Sequence, residues 1–124
     1  MLGSSKIVAF AATRDAASAR WFYRDALGLR LVSEVPFALV FDAHGTMLRV
    51  QIVKEVAKAQ YTILGWEVPD ITAAARNLQQ AGVEIEGYEG LGQDELGIWS
   101  APSGAKVAWF RNPDGNILSI TQFG

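Results

Sequence analysis

Few side chains in this sequence could do chemistry. A single histidine, His44, stands in the chain and cysteine is absent. That excludes mechanisms needing two imidazoles, thiol nucleophiles, disulfide frameworks, thiolate zinc sites and iron–sulfur clusters. His44 lies in the turn-like stretch Asp42-Ala43-His44-Gly45 and is expected to be an exposed turn residue. Among the carboxylates, Glu67 has the most to offer, because a period of two along a strand puts it on the face of Ile63 and Gly65. Buried and unpaired, it would be a candidate general base; paired, for instance with Arg49, it would be a polar anchor for a ligand. The four tryptophans divide by position. Trp66 alternates with Leu64 and Val68 on the face opposite Glu67 and is expected to pack under a helix. Trp21 flanks the apolar stripe of a helix and suits packing or a subunit contact. Trp99 and Trp109 fall on later strands, where core and cavity wall are equally open. The acidic, glycine-containing loop Glu86 to Leu96 has no lysine or following helix start, so it is not a phosphate loop; it reads as a solvated loop or as a lid. Asn112-Pro113-Asp114-Gly115-Asn116 reads as a turn in which Asp114 bonds its own backbone.

The elements that must position these residues follow from hydrophobic period. Ile7 to Thr13 suits a buried strand. Ala19, Phe22, Tyr23 and Ala26 recur at helical spacing within Ala16 to Leu27, with Asp15 as cap and Gly28 as terminator. Arg30 to Val35, Phe37 to Asp42 and Met47 to Val53 are strand-like, the last two forming a hairpin. The pattern then restarts with a strand at Tyr61 to Val68, a cap at Asp70, a helix at Ile71 to Ala81 and a terminator at Gly82. Strand candidates follow at Val83 to Tyr88, Gly97 to Ser100, Lys106 to Phe110 and Ile117 to Phe123. Asp15 and Asp70 are 55 residues apart and Gly28 and Gly82 are 54 apart, which marks a duplicated β-α-β-β-β unit. The expected architecture is a single α+β domain over 1–124 with repeats at 6–53 and 61–123 and a linker at 54–60. Two units are needed because one sheet of this size cannot bury a face alone. Their curved mixed sheets are expected to surround a cleft.

Composition agrees with one globular domain: 124 residues, half of them apolar, and a net charge of −2. No basic run exists to bind nucleic acid, and no apolar run approaches the ~20 residues of a membrane helix. The first residues do not read as a signal peptide, so a cytoplasmic location is expected.

Three segments carry a family resemblance. Phe22-Tyr23-Arg24-Asp25-Ala26-Leu27-Gly28-Leu29 resembles the helix end "FYRDxLGL", Gly65-Trp66-Glu67-Val68-Pro69-Asp70 resembles the strand end "AFEVDD", and Asn112 to Asn116 resembles the turn "DPDGN". With the duplication, these are similar to the vicinal oxygen chelate superfamily of glyoxalase I, extradiol dioxygenases, fosfomycin-resistance enzymes and bleomycin-resistance binding proteins. The resemblance spans Ile7 to Phe123 and implies a glyoxalase/bleomycin-resistance fold. It also implies four metal-ligand positions, one on the first and one on the last strand of each unit. They fall on Val8, on Arg49 or Gln51, on Ile63 and on Ser119. Aliphatic side chains offer no lone pair and a guanidinium repels a cation, so no divalent metal is expected.

The resemblance and the strand faces together assign ligand binding to Val8, Phe10, Arg49 and Gln51 in the first repeat. In the second they assign it to Ile63, Glu67, Trp99, Trp109 and Ser119. The expected function is a metal-free binding protein for a small drug or metabolite. The alternative is a lyase, isomerase or dioxygenase with a displaced site, in which Glu67 acts as base or ligand. A symmetric homodimer is expected, since sheet edges and exposed apolar surface call for a partner.

Overall fold

The computed structural model describes every residue from Met1 to Gly124, and the chain forms two compact units, Met1–Ala57 and Lys58–Gly124. No helix is long and apolar enough to cross a membrane. The first unit runs β1 (Val8–Thr13), α1 (Ala16–Ala19) with a π-helical continuation Arg20–Ala26, β2 (Arg30–Val35), β3 (Ala38–Ala43) and β4 (Thr46–Ile52). Its sheet has the order β1-β4-β3-β2, with β1 parallel to β4 and the other pairs antiparallel. The second unit runs β5 (Thr62–Glu67), α2 (Ile71–Gln80), β6 (Trp99–Ser100), β7 (Lys106–Arg111) and β8 (Ile117–Gln122). Its order, β5-β8-β7-β6, repeats that of the first, again with one parallel pair.

Each helix starts as the sequence dictates. Asp15 accepts from the Ala17 N–H (3.1 Å) and the Ser18 hydroxyl (2.7 Å), and these bonds, the hydroxyl first, hold its carboxyl below the usual carboxylate range. Asp70 accepts from the Ala73 N–H at 3.2 Å, while Gln122 at the end of β8 accepts from the Ile71 N–H at 2.9 Å. Asp70→Ala should therefore cost about 1 kcal/mol of stability, read as a lower urea midpoint at unchanged slope. An unchanged midpoint would mean that Gln122 alone suffices. Arg20 donates to Glu34 at 2.6 Å, tying the first helix to β2, and the guanidinium holds the Glu34 carboxyl down.

Three expectations need correction. Beyond Ala19 the first helix is not α but π: the Leu27 N–H reaches the Phe22 carbonyl at 2.9 Å. The wider turn rotates successive side chains by a smaller angle, so that neighbouring Phe22 and Tyr23 share the buried face. Val83 to Tyr88 is not a strand; it makes one bridge, Ile85 with Phe110. Side-chain amides take the backbone groups a ladder would use. Gln93 Oε1 accepts from the Tyr88 N–H (2.6 Å), and Gln93 Nε2 donates to the carbonyls of Glu86 (2.8 Å) and Gly97 (2.7 Å). β1, expected to be a buried strand, is an edge strand with Val8 and Phe10 exposed, so only one of its faces is covered. In the turn at 112–116, Asn112 Oδ1 accepts from the Asn116 N–H at 2.9 Å. The hairpin between β3 and β4 is as expected: His44 and Gly45 both take positive φ, 51° and 91°, and His44 is exposed.

Candidate functional site

In the second unit, strand register sorts the side chains onto two faces. Leu118, Ile120, Ala108 and Phe110 are buried on the side of α2, with its Ile71, Ala75 and Leu78. Trp66 belongs to this side, since it pairs with Ile120 and stacks on Phe110 with ring centroids 6.4 Å apart. Core packing is thus where the sequence placed it.

The opposite, helix-free face carries two rows. One runs Glu67, Thr121, Val107, Trp99 across β5, β8, β7 and β6; the other runs Gly65, Ser119, Trp109. Gly65 leaves room there for the serine: a Cβ at that position would lie 2.8 Å from Ser119 Oγ, which would have to rotate away. Trp109 is the centre of an aromatic group, 5.9 Å from Trp99 in a tilted arrangement and 5.6 Å from Tyr88 edge-on. Both tryptophans remain partly accessible, so ring surface is left over for a ligand. Tyr88 was missed in the sequence reading. Its signal was present as the aromatic at the end of the Val83 to Tyr88 run, hidden by the assumption that this run is a strand. Ile63 sits at the irregularity in the β5–β8 register between Thr62 and Leu64.

Glu67 is exposed and forms no ion pair within its unit. Gln93 and Asp94 pin the loop at 86–96. Asp94 Oδ1 accepts from the N–H groups of both Leu96 and Ile98 at 2.9 Å. The loop borders an open recess of about 530 Å³ with Gln79, Glu86, Tyr88, Gln93, Asp94 and Glu95 among its walls.

In the first unit the helix-free face pairs Val8 with Met47, Phe10 with Arg49 and Ala12 with Gln51. Val8, Phe10 and Met47 are 41%, 54% and 42% exposed, an unusual degree for apolar residues on a sheet face. A recess of about 250 Å³ lies among Val8, Val32, Val40, Met47, Arg30 and Asp42. Arg30 and Asp42 form an ion pair there at 3.8 Å.

Register also chooses between the two sequence alternatives for the last-strand position. Phe10 and Gly65 are equivalent across the 55-residue offset; Phe10 pairs with Arg49 and Gly65 with Ser119, so Arg49 is the equivalent of Ser119. The positions at which the resemblance implies ligands are then Val8, Arg49, Ile63 and Ser119: two aliphatics, a cation and a neutral hydroxyl. This donor set does not fit a divalent metal ion. Nor does any group of three or more His, Asp or Glu side chains gather to offer another.

With this geometry in view, comparisons with known proteins are informative. The family model described as glyoxalase/bleomycin resistance protein/dioxygenase superfamily matches residues 6–120. No curated protein matches the chain. TioX from Micromonospora sp. ML1 is similar in structure, with a TM-score of 0.73 at 19% identity, over 98% of this chain and 100% of that one. A lactoylglutathione lyase from Agrobacterium tumefaciens is similar at TM-score 0.72 and 18% identity, over 95% and 93% of the two chains. A glyoxalase family protein from Enterococcus faecalis reaches TM-score 0.72 at 20% identity, over 98% and 100%. Likeness at such identities establishes the fold.

Proposed function

The chain belongs to the glyoxalase/bleomycin resistance protein/dioxygenase superfamily, and from that membership we propose that it is a small-molecule-binding protein that works without a metal ion. Its ligand is a planar aromatic drug or metabolite. The observation that carries this reading is the Trp99–Trp109–Tyr88 group on the helix-free face of the second unit. Rings in offset or tilted contact bury large apolar area and leave a π-surface on which a flat ligand can stack. Sequestration needs affinity alone, so no acid, base or Lewis acid has to be supplied. The competing reading, an enzyme with Glu67 as general base, would require a buried carboxylate, and Glu67 is exposed.

Intrinsic tryptophan fluorescence titrated against aromatic glycopeptides and quinone-like compounds tests the proposal. Saturable quenching is expected for at least one compound, and silence across the panel from folded protein would refute it. Elemental analysis of protein purified without chelator should find no stoichiometric transition metal; one metal per chain would overturn the metal-free part of the reading.

The assembly belongs to the same proposal. Exposed Phe10, Val8 and Met47 on one sheet face, and Trp21 at 45% exposure on a helix flank, suit burial against a second copy in a symmetric dimer. Such an interface buries about 1,600 Å² in total. Light scattering at micromolar concentration should report twice the 13.5 kDa chain mass; a monomer throughout that range would refute the dimer.

A further inference from the structure

The proposed ligand face has a charge as well as a shape. We infer that its ligand is a planar aromatic cation, stacked on Trp99 and Trp109 with Glu67 as counter-ion. This rests on the reading of that face as a ligand site and specifies the class of ligand.

Charge is unevenly divided between the units. The first holds seven basic and five acidic side chains, the second four basic and eight acidic, so the aromatic face belongs to the unit with net charge −4. Within its strands, register puts two charged residues on the helix-free face, Glu67 and Arg111. Arg111 is already matched: its Nε donates to Glu86, and an Nη donates to the Gly115 carbonyl at 2.7 Å. Lys106 alternates with Ala108 and Phe110, which places it on the other side. Glu67 is left as the unmatched charge of that face. It shares a row with Val107, two strands away, and with Trp99, three strands away at about 14 Å by ladder spacing, while Trp109 stands in the neighbouring row. A fused tricyclic ring lying along this row would span from the indoles toward the carboxylate. A positive charge in that ring gains twice, from the indole faces and from Glu67, whereas a carboxylate on the ligand would be repelled.

Three tricyclic probes of similar shape test this by calorimetry: N-methylacridinium (cation), acridone (neutral) and 9-anthracenecarboxylate (anion). The cation should bind about tenfold more tightly than acridone, the scale of a cation–π contact joined to an exposed ion pair, with the anion weakest. Added salt should weaken the cation alone. Glu67→Gln should lower cation affinity about fivefold and leave acridone unchanged. Equal binding of cation and acridone, or preference for the anion, would overturn the inference while leaving an aromatic-ligand site intact. Cation preference that survives Glu67→Gln unchanged would remove Glu67 as counter-ion. Failure of all three probes to bind folded protein would overturn both the inference and the site.

Discussion

Trp109→Ala is expected to lower affinity for planar aromatic ligands about thirtyfold, or about 2 kcal/mol, the scale of truncating a central aromatic anchor. Trp109 is the ring in contact with both Trp99 and Tyr88, so its removal opens the middle of the group and leaves two rings without a shared neighbour. Stability should change less than affinity, because the ring keeps some exposed surface and faces away from α2. Trp66→Phe supplies the opposite control. It alters a ring stacked on Phe110 on the helix side and should reduce stability without touching affinity. Binding isotherms and urea titrations of the two variants check the contrast, and equal loss of affinity in both would show that the face assignment is wrong.

The largest effect on stability is expected from Phe110→Ala, at about 3–5 kcal/mol, because a buried phenyl ring is replaced by a cavity. Phe110 is 1% exposed, stacks on Trp66 and pairs with Leu118 in the centre of the second sheet. Against a typical total of about 5–15 kcal/mol, that is a large fraction of the stability. The check is equilibrium unfolding in urea, with Phe110→Leu, which keeps most of the volume, as the milder variant. A loss below about 1 kcal/mol for alanine would mean that the surroundings collapse to fill the space.

The sequence made the repeated unit legible because its punctuation is chemical. Aspartates before an apolar-periodic run and glycines after it have few competing readings, and Asp15, Asp70, Gly28 and Gly82 all act as caps or terminators with the glycines at positive φ. Alternation also assigned Trp66 and Glu67 to opposite faces, since both lie on the regular part of β5, past the irregularity at Ile63. It failed for Trp99 and Trp109 because a face becomes helix-side or helix-free only when α2 is docked. In addition, β6 is just two residues long. Val83 to Tyr88 has the apolar spacing of a strand, yet Gln93 reaches back to its backbone from outside the run, a capture that period cannot register. The π-helical continuation was hidden for a related reason. Ala19, Phe22, Tyr23 and Ala26 satisfy an α period, and the widening depends on how Phe22 and Tyr23 both pack inward.

The four indole N–H groups offer the most direct measurement. In ¹H–¹⁵N spectra of labelled protein titrated with N-methylacridinium, the signals of Trp99 and Trp109 should move together and saturate, while those of Trp66 and Trp21 stay in place. Movement confined to Trp66 or Trp21, or no movement of any indole at saturating probe, would contradict a ligand site on the helix-free face of the second unit.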